Sequence, residues 1–65
     1  MNETIRIWLE NLYQNEIEEI KGAISNERIW ERGYYGEEPN PHTENIEVLT
    51  EYLETLEEKL EELTV

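Results

Sequence analysis

Six aliphatic residues in the last third of the chain are separated by alternating steps of three and four. They are Ile46, Leu49, Leu53, Leu56, Leu60 and Leu63. This spacing is typical of a helix that packs one narrow apolar seam against another helix. Because the chain has 65 residues and no cysteine, packing between helices must provide most of its stability. The pattern therefore predicts an all-α fold.

A second helical pattern covers residues from about 3 to 32. Its apolar positions also recur every three or four residues, and they are Ile5, Leu9, Leu12, Tyr13, Ile17, Ile20 and Ile24. Asn2 is a suitable N-terminal cap for this helix. Gly22 interrupts the pattern at a cost of roughly 1 kcal/mol relative to alanine. It indicates a close helix crossing or a bend, or it has no structural role.

The break between the two patterns is a glycine- and proline-containing stretch at residues 33–41. Gly33 suits the end of the first helix, while Pro39 and Pro41 exclude a continuous helix through this stretch. Asn40 followed by Pro41 is typical of a cap and a first helical residue. The second helix is therefore predicted from about 41 to 63, and residues 1–65 form a single antiparallel helical hairpin.

One hairpin has one seam, which makes a thin core for a free-standing protein. Trp8, Tyr13 and Tyr52 fall just beside the predicted seams, where a second hairpin would cover them. We therefore expect a homo-oligomer, either a homodimer that forms a four-helix bundle or a higher assembly.

The chain carries 17 glutamates against five cations, a formal net charge of −12. This charge argues against direct binding of nucleic acid, whose phosphates would be repelled. The sequence also lacks an apolar run long enough to cross a membrane, and a cytoplasmic protein is expected. The row of Glu57, Glu58, Glu61 and Glu62 has three interpretations: a solvated face, a docking strip for a basic partner, or a site where Glu58 and Glu62 bridge a divalent cation.

The charge is uneven along the sequence. Residues 21–42 have a net charge of −1, whereas the remaining residues have a net charge of −11. The same segment contains three of the six aromatic residues and the only histidine. Aromatic rings stack bases, and arginine adds charge and planar hydrogen bonding. The candidate ligand-binding residues are Asn26, Arg28, Trp30, Arg32, Tyr34, Tyr35, His42 and Asn45. The alternative is that these rings form a structural cap over the end of the core.

His42 continues the apolar stripe of the second helix backward by one turn. It is interpreted either as a partly buried, hydrogen-bonded histidine, or as a ligand contact, or as a catalytic or metal-binding residue. A transition-metal site needs further histidine or cysteine ligands, and acid–base catalysis needs carboxylates in a cleft. We therefore expect no cofactor, no metal site and no enzymatic activity.

Two segments carry a resemblance to known small proteins. They are Asn26-Glu27-Arg28-Ile29-Trp30 and His42-Thr43-Glu44-Asn45-Ile46, the latter followed by Leu49, Tyr52 and Leu53. In these segments the chain resembles short acidic helical hairpins encoded by phages and mobile elements of Gram-positive bacteria. The resemblance implies a role in the contest between phage and host.

Three functions are compatible with these observations, of which the third is an assembly or scaffold module without a ligand. The first is a non-enzymatic, oligomeric module that sequesters a nucleotide-derived signalling molecule, with the candidate residues above as its binding site. The second is an acidic mimic of DNA, or another protein–protein inhibitor, that blocks a basic surface of a host protein. Mutations near the loop should impair the first function, and Glu-to-Gln changes along the helices should impair the second.

Overall fold

The computed structural model describes residues 2–64. Within this range the chain forms two helices, α1 (Glu3–Arg32) and α2 (Pro41–Thr64), joined by residues 33–40. No strand occurs among the described residues. The all-α class and the packing of two helices against each other are thereby confirmed.

The helices begin where side-chain caps satisfy their free backbone amides. At α1, Oδ1 of Asn2 accepts hydrogen bonds from the amides of Thr4 (2.7 Å) and Ile5 (3.4 Å). At α2, Oδ1 of Asn40 accepts a hydrogen bond from the amide of His42 at 3.0 Å. Pro41, which has no amide hydrogen, occupies the first helical position between them.

The contacts between the end of α1 and the start of α2 show that the two helices run antiparallel. Thr43 donates to a carboxylate oxygen of Glu31 near the loop, at 2.6 Å. Farther from the loop, the hydroxyl of Tyr52 donates to Glu16 at 3.4 Å. The resulting hairpin is a slender rod with principal extents of 51 × 14 × 11 Å.

The core lies along the single seam between the helices. Only three described residues are buried, namely Ile17, Ile24 and Leu56. The other residues of the seam remain partly exposed to solvent on its two sides, and they are Leu9, Tyr13, Ile20, Ile46, Leu49, Leu53, Leu60 and Leu63. A seam of this width follows from the heptad spacing, which brings only one row of each helix against its neighbour.

Two apolar residues of α1 that share the three- and four-residue spacing lie outside the seam. Ile5 and Leu12 are each about half exposed. The reason is that an apolar row with mixed steps spreads over a wide arc of the helix, and a single neighbouring helix covers only part of that arc. Gly22 marks no close helix crossing, because a Cβ built on it meets no atom within 4 Å.

No helix within residues 2–64 is both long enough and apolar enough to cross a membrane.

Candidate functional site

The loop end of the hairpin holds most of the polar contacts between the two helices. Nδ1 of His42 lies 2.6 Å from Oε2 of Glu27, and the same carboxylate oxygen accepts a hydrogen bond from Nδ2 of Asn45 at 3.3 Å. Thr43 bonds the next acidic residue of α1, Glu31. We call these five residues the loop-end cluster. It joins the first turns of α2 to the last two turns of α1.

The carboxylates of the loop-end cluster lie beside the amino end of α2, where negative charge is favourable. The amino end of a helix carries a partial positive charge, so carboxylates placed beside it are stabilised. Glu27 and Glu31 project from α1 toward the first turn of α2, where they accept hydrogen bonds. The hydrogen bond from His42, followed by that from Asn45, lowers the pKa of Glu27 below its ordinary value of 4.5. Both carboxylates therefore have hydrogen-bond partners within the hairpin.

Asn40 connects the ends of both helices at once. While its Oδ1 caps α2, its Nδ2 donates a hydrogen bond to the backbone carbonyl of Glu31 at 3.0 Å. That carbonyl belongs to the last turn of α1, whose oxygens have no partner within the helix. One side chain thus satisfies an amide of one helix and a carbonyl of the other.

Three of the predicted site residues bring their rings together. The ring of His42 stacks on Trp30, with centroids 6.4 Å apart and planes inclined by 24°. Tyr34 meets the same imidazole edge-on, at a centroid distance of 6.0 Å. Its hydroxyl crosses over Gly36 to donate to the carbonyl of Glu37 at 2.8 Å. A side chain at Gly36 would collide with the Tyr34 ring in this position and would displace it.

Of the other predicted site residues, Asn45 shares the Glu27 carboxylate oxygen with His42, and the remaining four do not converge with this ring cluster. Tyr35 is 99% exposed. Asn26, Arg28 and Arg32 are also exposed, and neither arginine forms an ion pair within residues 2–64. Arg28 lies two residues before Trp30 and Arg32 two after it, so each projects about 200° away from Trp30 around the helix. In one hairpin the cations and the rings therefore face different sides.

The charge contrast seen along the sequence disappears in the folded hairpin. Because α2 runs back along α1, its first glutamates return to the level of Lys21 and Arg28. The loop half of the hairpin, residues 18–53, contains nine glutamates and three cations, a net charge of −6. The opposite half has eight glutamates and two cations, also a net charge of −6. The loop end is thus as acidic as the rest of the molecule.

A shallow groove beside the start of α2 adds to this acidity. It is lined by Pro39, Asn40, Pro41 and Thr43 together with Glu38, Glu44 and Glu47. Three carboxylates at its rim would repel a phosphate that approaches the amino end of α2. Within residues 2–64 no group of histidine and acidic side chains is arranged to hold a metal ion.

A larger groove follows the stem on one side of the hairpin. Its floor contains the apolar residues Ile17 and Leu60, and its walls carry carboxylates from both helices. The carboxylate-bearing residues are Glu10, Glu18, Glu57 and Glu61, and the remaining lining residues are Gln14, Asn15, Lys21 and Thr64. The acidic rows of α2 are visible in the sequence, but their position opposite those of α1 is not. We call this feature the stem groove.

No protein-family model, curated protein or solved structure matches the chain.

The residues that sequence analysis missed are the hydrogen-bond acceptors of the loop-end cluster. Glu27 and Glu31 were counted only as charges, and Asn40 only as a cap. One signal was present in the sequence, since Glu27 and Glu31 are four residues apart on α1 and close to the loop. In an antiparallel hairpin that position places them beside the first turn of the returning helix.

Proposed function

We propose that the chain is a non-enzymatic binding module that works as a homo-oligomer and uses its acidic stem to occupy a basic protein surface. The observation that carries the proposal is the stem groove, where four carboxylates from two helices flank an apolar floor. Of these four glutamates only Glu10 forms an ion pair within residues 2–64, with Arg6 at 2.7 Å. The others are available to a cationic partner.

The chemistry of the groove defines the partner. Lysine and arginine side chains have long apolar stems and charged ends. Such side chains can pack their stems over Ile17 and Leu60 while their charged ends reach the carboxylates on the walls. A basic, amphipathic segment of a nucleic-acid-binding protein has this composition. The resemblance to phage-encoded acidic hairpins agrees with blockade of such a protein in a bacterial host.

Affinity capture with matched variants tests the proposal. The stem variant replaces Glu18, Glu57 and Glu61 with glutamine, and the control replaces Glu37, Glu38 and Glu44, which changes the net charge equally. We expect the wild type and the control to retain the same protein from a bacterial lysate at low salt, and the stem variant to lose it. Retention should fall steeply with salt, because the contact is electrostatic. A captured set that is identical for all three proteins would contradict the proposal.

Ligand capture is the second candidate. The observation that favours it is the presence of Arg28, Arg32, Trp30 and Tyr35, all exposed, at one end of the molecule. Since the arginines and Trp30 face different sides of α1, a pocket for a nucleotide-derived signal would have to combine the loop ends of two hairpins. The polar groups of the loop-end cluster already form hydrogen bonds with one another. This cluster therefore supports ligand capture less strongly than the stem groove supports binding of a basic protein.

Isothermal titration calorimetry with cyclic di- and trinucleotides and ADP-ribose derivatives tests ligand capture. If the second candidate is correct, one of these compounds binds, and replacement of Arg28 and Trp30 with alanine abolishes the heat while the helical circular dichroism signal remains. Absence of heat and of any thermal shift with the whole panel would remove ligand capture and leave the first candidate unaffected.

A further inference from the structure

The hairpin carries a second apolar stripe on the side opposite the stem groove. The hydrogen bond between Tyr52 and Glu16 shows that these two residues lie on the same side of the molecule. Leu12 lies one turn from Glu16, and Val48 lies one turn from Tyr52, so they share that side. The helical spacing extends the stripe along the whole rod. Its apolar members are Ile5, Trp8, Leu12, Trp30, Val48 and Tyr52, and all are exposed.

The hairpin exposes more surface than a compact protein of its mass, and the excess is about the area that each partner buries in one interface. The hairpin exposes 5212 Å². A compact monomer of 7.9 kDa is expected to expose about 4,400 Å². The excess of about 800 Å² equals the area that each partner buries in a stable protein–protein interface of standard size. Uncovered, six large apolar side chains would form an unusually extended apolar surface for such a small protein.

We propose that a second copy of the chain covers the second stripe in a parallel dimer, with both loops at the same end. In this arrangement the two-fold axis runs along the rod, and α1 of each copy lies against α2 of the other. The four helices then share one interior, in which Trp8 and Leu12 become core residues. The inference deepens the self-association proposed above and does not depend on the basic partner.

The charges within the second stripe select the parallel arrangement. The middle of the stripe on α1 carries Glu16 and Glu19, whereas the stripe on α2 carries Val48 and Tyr52 at that level. A parallel dimer places α1 of one copy beside α2 of the other at the same level, so that these two glutamates meet no carboxylate of the second copy's stripe. An antiparallel dimer instead places α1 against α1, so that four carboxylates meet at the centre.

The parallel arrangement has a consequence for the loop end. It places the two copies of Trp30 and Tyr35 at one end of the bundle, together with both copies of Arg28 and Arg32. An antiparallel dimer would separate these groups by the length of the rod, 51 Å. Any ligand site that combines two loop ends therefore requires the parallel form.

A matched pair of substitutions tests whether the second stripe is the interface. Leu12 and Ile7 are both 48% exposed on α1, but they are five residues apart and point to different sides of the helix. Leu12→Glu should raise the dimer dissociation constant by more than about tenfold, because it removes apolar burial and adds charge in both copies. Ile7→Glu should leave it nearly unchanged. Equal effects of the two substitutions would overturn the assignment.

Pulsed electron paramagnetic resonance tests the orientation without perturbing the stripe. The chain has no cysteine, so Glu37→Cys provides a single labelling site on the loop. A parallel dimer predicts a distance of about 20 Å between the two spin labels, since helices pack 8–10 Å apart. A distance near 51 Å would indicate an antiparallel dimer. That result, or the absence of any dipolar coupling, would overturn the proposal.

Binding of a basic partner in the stem groove is measured separately and can fail or succeed independently.

Discussion

The Nδ1 atom of His42 lies 2.6 Å from Oε2 of Glu27, across the seam between the two helices. The contact joins residues 15 positions apart, at the end where α2 turns back along α1. It assigns the only histidine of the chain a place in the fold: the imidazole is held by a carboxylate and packed between the rings of Trp30 and Tyr34. The loop end is therefore organised around contacts within the hairpin.

The first prediction concerns pH. The hydrogen bond from His42, and after it that from Asn45, lowers the pKa of Glu27 in the folded chain. A carboxylate with a lowered pKa stabilises the fold above its unfolded-state pKa, and this contribution is lost as the pH falls through the folded-state pKa. The wild type should therefore melt at a higher temperature than Glu27→Gln at pH 7, and the difference should close below about pH 4.

Glu18→Gln is the control for that comparison, because Glu18 forms no ion pair or side-chain hydrogen bond within the described part of the chain. Thermal melts of the three proteins between pH 3 and pH 7 provide the measurement. A constant difference between wild type and Glu27→Gln across this range would show that ionisation of Glu27 contributes nothing to stability.

The second prediction compares the two helix caps. Asn2→Ala should cost about 1 kcal/mol, the usual value for loss of an N-terminal cap. Asn40→Ala should cost more, because it also removes the hydrogen bond from Nδ2 to the carbonyl of Glu31. Urea denaturation of both variants measures the difference. Equal costs would mean that the hydrogen bond from Asn40 to the carbonyl of Glu31 does not contribute to stability.

The third prediction concerns the core. Leu56 is the most buried side chain of those described, at 4% exposure. Leu56→Ala should cost about 2–5 kcal/mol through lost burial and the cavity left behind. With so few buried residues to compensate, the helical circular dichroism signal at 37 °C should fall sharply. Ile29→Ala, at an exposed position, should change stability by less than about 0.5 kcal/mol. Similar effects of both substitutions would contradict the described seam.

The fourth prediction is a stabilising substitution. Gly22 lies within α1, and a Cβ added there meets open space. Gly22→Ala should therefore raise the free energy of unfolding by about 0.5–1 kcal/mol, the difference in helix propensity between the two residues. Chemical denaturation provides the measurement. A loss of stability would indicate that the position is crowded in the assembled protein, which would point to a helix contact absent from the single hairpin.

Heptad spacing was sufficient to predict the helices and their pairing. The apolar residues from Ile46 to Leu63 recur every three or four positions, which is the period of one packed helix face. The Asn40-Pro41 pair marks where that helix begins. These signals are local, because caps, prolines and apolar periodicity act within a few residues of one another. The side of α1 occupied by Ile5 and Leu12 was not predictable in the same way, since the arc of apolar residues is wider than one neighbouring helix covers.

The candidate site was harder to predict, because its chemistry depends on which residues meet across the hairpin. Sequence segment 21–42 is nearly neutral, yet the fold returns Glu44, Glu47 and Glu51 to the same level and restores the acidic balance. In a similar way, Arg28 and Trp30 are neighbours in sequence but project in different directions. The distribution of charge along a sequence is therefore a poor guide to surface charge in an antiparallel hairpin.

Sedimentation equilibrium of the purified chain at micromolar concentration is the decisive test of self-association, on which both the dimer interface at the second stripe and any site shared between loop ends depend. We expect a folded species with twice the chain mass of 7.9 kDa. A stably folded, helical species with the mass of one chain at that concentration would contradict it.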